Sequence, residues 1–144
     1  MMKKAFFIIF VLFLAIQFIR PDKVPYSVDE KKALHPPKDV KKVLVKACYD
    51  CHSDRVRYPW YSNIAPFSWT IAHHIKEGRK AINFSRWNDI PKDIKEKRLE
   101  RAVQMIDIGV MPLPTYKLIH KDAVLSKKEK ETLKSYFESL RSKL

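Results

Sequence analysis

The chain has 144 residues, enough for one domain, and a net charge of +13 at neutral pH. That balance favours acidic partners, an anionic membrane surface or nucleic acid. The lysines and arginines are scattered and do not gather with aromatics into a stripe, which argues against nucleic acid.

The chain opens Met1-Met2-Lys3-Lys4, and Ala5 to Ile19 is then apolar except for Gln17. A basic stretch before an apolar run is the pattern of an export leader. No small-x-small cleavage site follows; the chain runs into Arg20-Pro21-Asp22. Residues 1–20 are therefore expected to form an uncleaved membrane anchor, with a cleaved signal peptide as the alternative. At the helical rise the run spans about 22 Å, short of a hydrocarbon core of about 30 Å. Local thinning or flanking residues cover such a gap. Either reading exports the domain. Residues 21–37 carry Pro21, Pro25, Pro36 and Pro37 among charges and read as a linker lifting the domain off the membrane.

The domain proper, residues 38–144, is expected to begin with a helix over Lys38 to Ala47. There Val40, Val43, Leu44 and Ala47 form one apolar stripe. It leads into Cys48-Tyr49-Asp50-Cys51-His52, which holds both cysteines of the chain. This CxxCH pentad is the attachment signature of a c-type haem. Two intervening residues let a single turn present both sulfurs to one edge of a porphyrin, and the next histidine falls under the iron. Cys48 and Cys51 are then anchors and His52 the proximal ligand. Chance placement in this composition is about one in a thousand. Other readings compete. A thioredoxin-like pair wants a βαβ setting, and a structural zinc site wants four N/S ligands. A simple disulfide is open to an exported chain.

Arg55 to Pro66 reads as an apolar, aromatic loop of the kind that wraps a cofactor. A second helix is expected from Pro66 or Phe67 to about Glu77, with Gly78 as its stop. A third follows Pro91, through Ile94, Leu99, Ala102, Val103 and Ile106, to Gly109. The last opens on a capping box, Ser126 with Glu129, and continues through Leu133, Tyr136, Phe137 and Leu140. No segment alternates as a strand does. The expected fold is all-α, a bundle of about four helices around one covalently attached haem.

An electron carrier normally binds iron on both faces. Met111 is the leading sixth ligand: it follows Gly109, where a helix should end, and Pro112 and Pro114 stiffen its loop. Met105 lies within the third helix and is expected to pack. His73 and His74 are adjacent on a helix and point about 100° apart, so at most one could face the iron. His120 and His35 are expected in a loop and in the linker. Trp60, Tyr61, Trp69, Phe84 and Trp87 carry large apolar area that could pack on a porphyrin, and Arg79 could neutralise a propionate.

The pentad with Ser53, the run Tyr58-Pro59-Trp60-Tyr61-Ser62-Asn63-Ile64-Ala65-Pro66, and Trp69 resemble the small bacterial haem-binding-domain family of cytochrome c-type proteins. So do Glu77-Gly78-Arg79, Asn83-Phe84-Ser85-Arg86-Trp87, Gly109-Val110-Met111-Pro112, Tyr116, His120 and Leu125-Ser126. Arg86 departs from the acidic residue expected there. The resemblance implies one haem c, a helical exported domain, often membrane-tethered, and His52/Met111 ligation. Iron bound on both faces, a compact domain and a basic surface favour one-electron transfer in the periplasm or at the outer face of the inner membrane, with acidic redox proteins as partners. A haem-based sensor or a peroxidase-like enzyme with a labile distal site is the alternative.

Overall fold

The computed structural model describes residues 2–144, among which there are seven α-helices, three short 3-10 turns and no strand. The fold is all-helical, as expected. The four expected helices are present as α2 (Lys38–Ala47), α4 (Phe67–Ala81), α5 (Lys92–Asp107) and α7 (Lys127–Arg141). Three more are α1 (Met2–Ile16), the single-turn α3 (Tyr49–His52) and α6 (Pro114–Ile119).

The core forms where the apolar stripes of α2, α5 and α7 meet. Val40, Val43, Leu44 and Ala47 are buried from α2, Leu99 and Ile106 from α5, and Leu133 and Phe137 from α7. Each stripe repeats at helical spacing, so one face of each helix is withdrawn from water. Phe84, from the 3-10 turn Phe84–Asp89, stacks on Phe137 with centroids 6.1 Å apart. α7 starts on the expected capping box, with Ser126 and Glu129 each accepting from the other's backbone N–H. α5 ends just before Gly109, whose φ of 75° suits a residue without a side chain.

Gly78 differs from expectation. It does not stop α4; the helix runs on to Ala81, and Ile82 N–H closes the last turn on the Gly78 carbonyl at 2.9 Å. Gly78 is buried where α4 lies on the α3 turn, and a Cβ there would sit 2.5 Å from the Cys51 carbonyl oxygen. The glycine permits a close helix-to-turn approach and terminates nothing.

No helix among the described residues is long and apolar enough to cross a membrane. α1 buries none of its side chains. The stretch expected as a linker lies along the domain. Val24 N–H donates to Tyr58 Oη at 2.8 Å, Leu34 N–H to the Phe84 carbonyl at 2.8 Å, and Asn88 N–H to the Lys32 carbonyl at 2.9 Å. Ala33 and Leu34 are buried.

Because the Gly78 contact is to backbone, no rotamer change relieves a larger residue. Gly78→Ala is expected to destabilise the protein by about 1–3 kcal/mol, overriding the gain of about 1 kcal/mol in helix propensity. At Gly109 nothing lies within 4 Å of an added Cβ, so Gly109→Ala should cost only the left-handed backbone penalty of about 1–2 kcal/mol. Denaturant unfolding of both variants checks the pair.

Candidate functional site

α2 hands over to the motif without a break. Cys48 N–H bonds the Leu44 carbonyl at 2.8 Å, and the Cys48 carbonyl accepts from Cys51 N–H at 3.1 Å and His52 N–H at 2.9 Å. The pentad is thus one turn. Ser53 ends it in extended conformation, its hydroxyl donating to the Tyr49 carbonyl at 2.7 Å. The His52 ring sits 3.2 Å, Nδ1 to oxygen, from the Ile82 carbonyl. A carbonyl only accepts, so the proton is on Nδ1 and the Nε2 lone pair is left for a metal. Burial pushes the His52 pKa below its ordinary value, against the opposing pull of the Ile82 and Gly78 carbonyls. The ring is neutral at physiological pH, as a ligand must be.

His52 and Cys48 open into a cavity of about 370 Å³, and Met111 lines the same cavity from the loop after α5. That size lies within the range of small-molecule sites. Its walls are apolar: Ile82, Phe84 and Phe137 from one side, and Ile94, Ala102, Met105 and Ile106 from α5. Lys80, Lys97, Arg98 and Arg101 complete the lining, which contains no carboxylate. Phe84 lines the cavity beside His52, the two ring centroids 6.3 Å apart. Met111 N–H is fixed to the Met105 carbonyl at 3.1 Å.

Cys51 faces the other side of the turn. Its carbonyl and Cβ abut Gly78, and it lines a smaller cavity of about 60 Å³ with Tyr61, His74, Tyr116 and His120. Burial pushes the Cys48 thiol up to about 12 and the Cys51 thiol up to about 11, so both keep their protons at neutral pH. Thiols in that state are poor thiolate ligands and poor disulfide exchangers.

Two buried carboxylates brace the turn. Asp50, inside the motif, accepts from Arg57 Nε at 3.0 Å and Nη2 at 3.0 Å, from Arg57 N–H at 3.1 Å, and from Tyr116 Oη at 2.6 Å. This bidentate Arg pair is the stronger kind of charged hydrogen bond. Tyr116 in turn stacks on His120, centroids 4.0 Å apart, and His120 Nε2 lies 3.3 Å from Tyr61 Oη. Asp54, just past the motif, pairs with Arg79 at 2.6 Å and Arg86 at 3.2 Å and accepts from Asn83 Nδ2 at 2.9 Å. Burial alone would raise its carboxyl pKa; the bonds from Asn83, Arg86 and Arg79 outweigh it and hold the group below the usual range.

The cavity therefore unites Cys48, His52 and Met111 with Phe84, one of the aromatics expected at the porphyrin, but the other proposed cofactor contacts, Cys51 among them, lie elsewhere. Trp60 is 76% exposed. Tyr61 is on the Cys51 side, and Trp69 donates from Nε1 to the Ile19 carbonyl at 2.7 Å. Arg79 is committed to Asp54, and Trp87 is buried in the core beneath Lys95. His74 lines the smaller cavity, and His35 bonds the Glu30 carbonyl. Arg86, the departure from pattern, is the second partner of Asp54. Sequence reasoning missed the bracing roles of Asp50, Asp54, Arg57 and Tyr116. It also missed the cations of α5, although Arg98, Arg101, Ala102 and Met105 share a helix face with Ile94 and were legible from spacing.

The donor set fits a haem. The Cys48 thiol and a neutral imidazole from one turn share an apolar cavity with a thioether from a separate loop, and its lining of cations without anions suits a flat macrocycle bearing two propionates, while Cys51 opens on the far side of that turn. Fold and site define an all-helical haem-binding protein. The model of the haem-binding domain family matches residues 11–139, and the chain belongs to that family. No curated protein and no solved structure matches the chain.

Asp50 and Tyr116 act as one unit. Tyr116→Phe is expected to cost about 1.5–3 kcal/mol, the value of a hydrogen bond to a charged group. Combined with Asp50→Asn, the loss should fall short of the sum by more than about 0.5 kcal/mol. Denaturant unfolding of the four members of the cycle measures the coupling.

Proposed function

We propose that the chain is a mono-haem c-type cytochrome that passes single electrons in the periplasm, tethered to the outer face of the inner membrane by its N-terminal segment. One observation carries this reading: Met111, far along the chain from the Cys48–His52 turn, lines a single cavity with Cys48 and His52. Haem, when bound there, supplies one-electron exchange between ferrous and ferric iron.

The residues divide the work. Cys48, on the cavity, and Cys51, on the other side of the same turn, would hold the macrocycle by adding each thiol across a vinyl C=C, sulfur to one carbon and proton to the other, with no leaving group. His52 would ligate through Nε2, oriented by the Ile82 carbonyl. Met111 would ligate through Sδ, and a thioether there raises the potential relative to a second imidazole. The apolar walls exclude water. Lys80, Lys97, Arg98 and Arg101 would neutralise the propionates and present a cationic rim to an acidic redox protein, speeding encounter.

A peroxidase-like site needs a base and a cation beside an open distal position. His74 opens on the opposite side of the motif turn and Arg79 is held by Asp54, so neither supports that reading.

Protein made in cells that mature cytochromes should carry the mass of one haem after denaturation. An intact mass equal to the polypeptide alone would sink the proposal. Met111→Ala should keep its haem but lose the far-red ferric band of thioether ligation and bind added imidazole. A ferric spectrum identical to the parent's would remove Met111 from the ligand set. Cys51→Ala should lower covalent loading severely.

A further inference from the structure

The apolar N-terminal segment has no slack between it and the domain. α1 ends at Ile16, and Gln17, the next residue, is already locked to the domain. Its side chain donates to the Ala65 carbonyl at 3.2 Å and accepts from Ala65 N–H at 2.9 Å. Two residues on, the Ile19 carbonyl accepts from Trp69 Nε1 at 2.7 Å. Lys23 then reaches Asn63 Oδ1 at 2.7 Å. Every one of these partners lies on the segment from Asn63 to Trp69, so the seat of the anchor is one short stretch of chain.

That seat is flanked by apolar side chains turned to solvent. Phe18 is 89% exposed, Trp60 76%, Ile19 63% and Phe67 57%. All lie within three residues of a junction contact. Single exposed apolar residues are ordinary, but these four flank the contacts that seat the root of an exposed apolar helix, and exposure grouped in that way marks an interaction surface.

We infer that Phe18, Ile19, Trp60 and Phe67 form a platform seated in the headgroup layer of an anionic phospholipid bilayer, holding the domain flat against the membrane. The inference rests on the tethering part of the proposed function and goes beyond it, because a linker was the reason to expect a gap. Whatever bilayer buries α1 must come up to Gln17, and the contacts above then bring the loop to the same surface. Trp is suited to that depth, its ring body apolar and its edge polar. The cations beside the junction, Arg20 and Lys23, and those at the start of α1, Lys3 and Lys4, match anionic headgroups. The shortness of α1 acts in the same sense, since apolar residues past its end extend the buried length.

The test uses the full haem-loaded chain in vesicles of phosphatidylethanolamine and phosphatidylglycerol doped with a phospholipid bearing a photoreactive group below the headgroup. Peptide mass spectrometry maps the adducts after illumination. Adducts are expected on α1 and on the peptides holding Trp60 and Phe67, with α7 unlabelled. Gln17→Ala combined with Trp69→Phe should free the junction, lowering loop labelling several-fold while α1 labelling holds. Labelling confined to residues 2–19 overturns the platform and leaves the tether standing. Failure to float with the vesicles overturns both. Chain-to-chain products in place of lipid adducts would assign the same face to a second copy and also overturn the inference.

Discussion

The close approach of α4 to the Cys48–His52 turn is the constraint on which the rest of the molecule depends. A turn of four residues has no stability of its own, yet it carries Cys51 and the His52 imidazole in fixed places. α4 supplies the backing. Gly78 lets its backbone come against the Cys51 carbonyl, and four residues later the Ile82 carbonyl receives the His52 Nδ1 proton. One helix end thus sets both the depth of the turn and the tautomer of its histidine. The Asp50 and Asp54 networks clamp the turn from either side of that contact, through Arg57 and Tyr116 on one flank and Arg79, Arg86 and Asn83 on the other. On the proposed reading, such rigidity serves a carrier well, because ligand geometry need not change with the oxidation state.

Much of this was legible in the sequence, and the exceptions share a cause. α2, α5 and α7 were readable because each buries a stripe at helical spacing, and the Ser126–Glu129 box marks its own boundary. The pentad was readable because its spacing is itself the chemistry. Met111 was readable as a residue placed just past a helix end, and it does open on the same cavity as His52. Gly78 was misread because a glycine near a helix end looks the same whether it terminates the helix or admits a neighbour; only the Cys51 carbonyl tells them apart. Arg79 offered a cation for a propionate, but a buried carboxylate nearby had the stronger claim. Trp60 and Trp69 were chosen for area, and area does not say which surface it covers. In each case the missing information is a tertiary partner.

Charge follows the same logic. A net +13 distributed over the chain looks featureless in one dimension. Folding sorts it. Some cations are consumed by buried carboxylates, and Lys80, Lys97, Arg98 and Arg101 collect on the lining of the apolar cavity, which holds no carboxylate. A field of one sign over a low-dielectric cleft is what attracts anionic groups, whether covalently part of a cofactor or carried by another protein.

The N-terminal segment closes the physical picture. Prolines and charges at residues 21–37 look like a spacer because nothing in them forms an element, yet the backbone of Val24, Lys32 and Leu34 hydrogen-bonds the domain. A segment so committed transmits position. Trp69 and Ala65, which seat residues 17–19, belong to α4 and the turn before it. The same α4 carries Gly78 and is followed directly by Ile82. One rigid helix therefore joins the root of the apolar segment to the residue that orients His52, so on the tethered reading the membrane would fix not only where the haem site is but which way it faces.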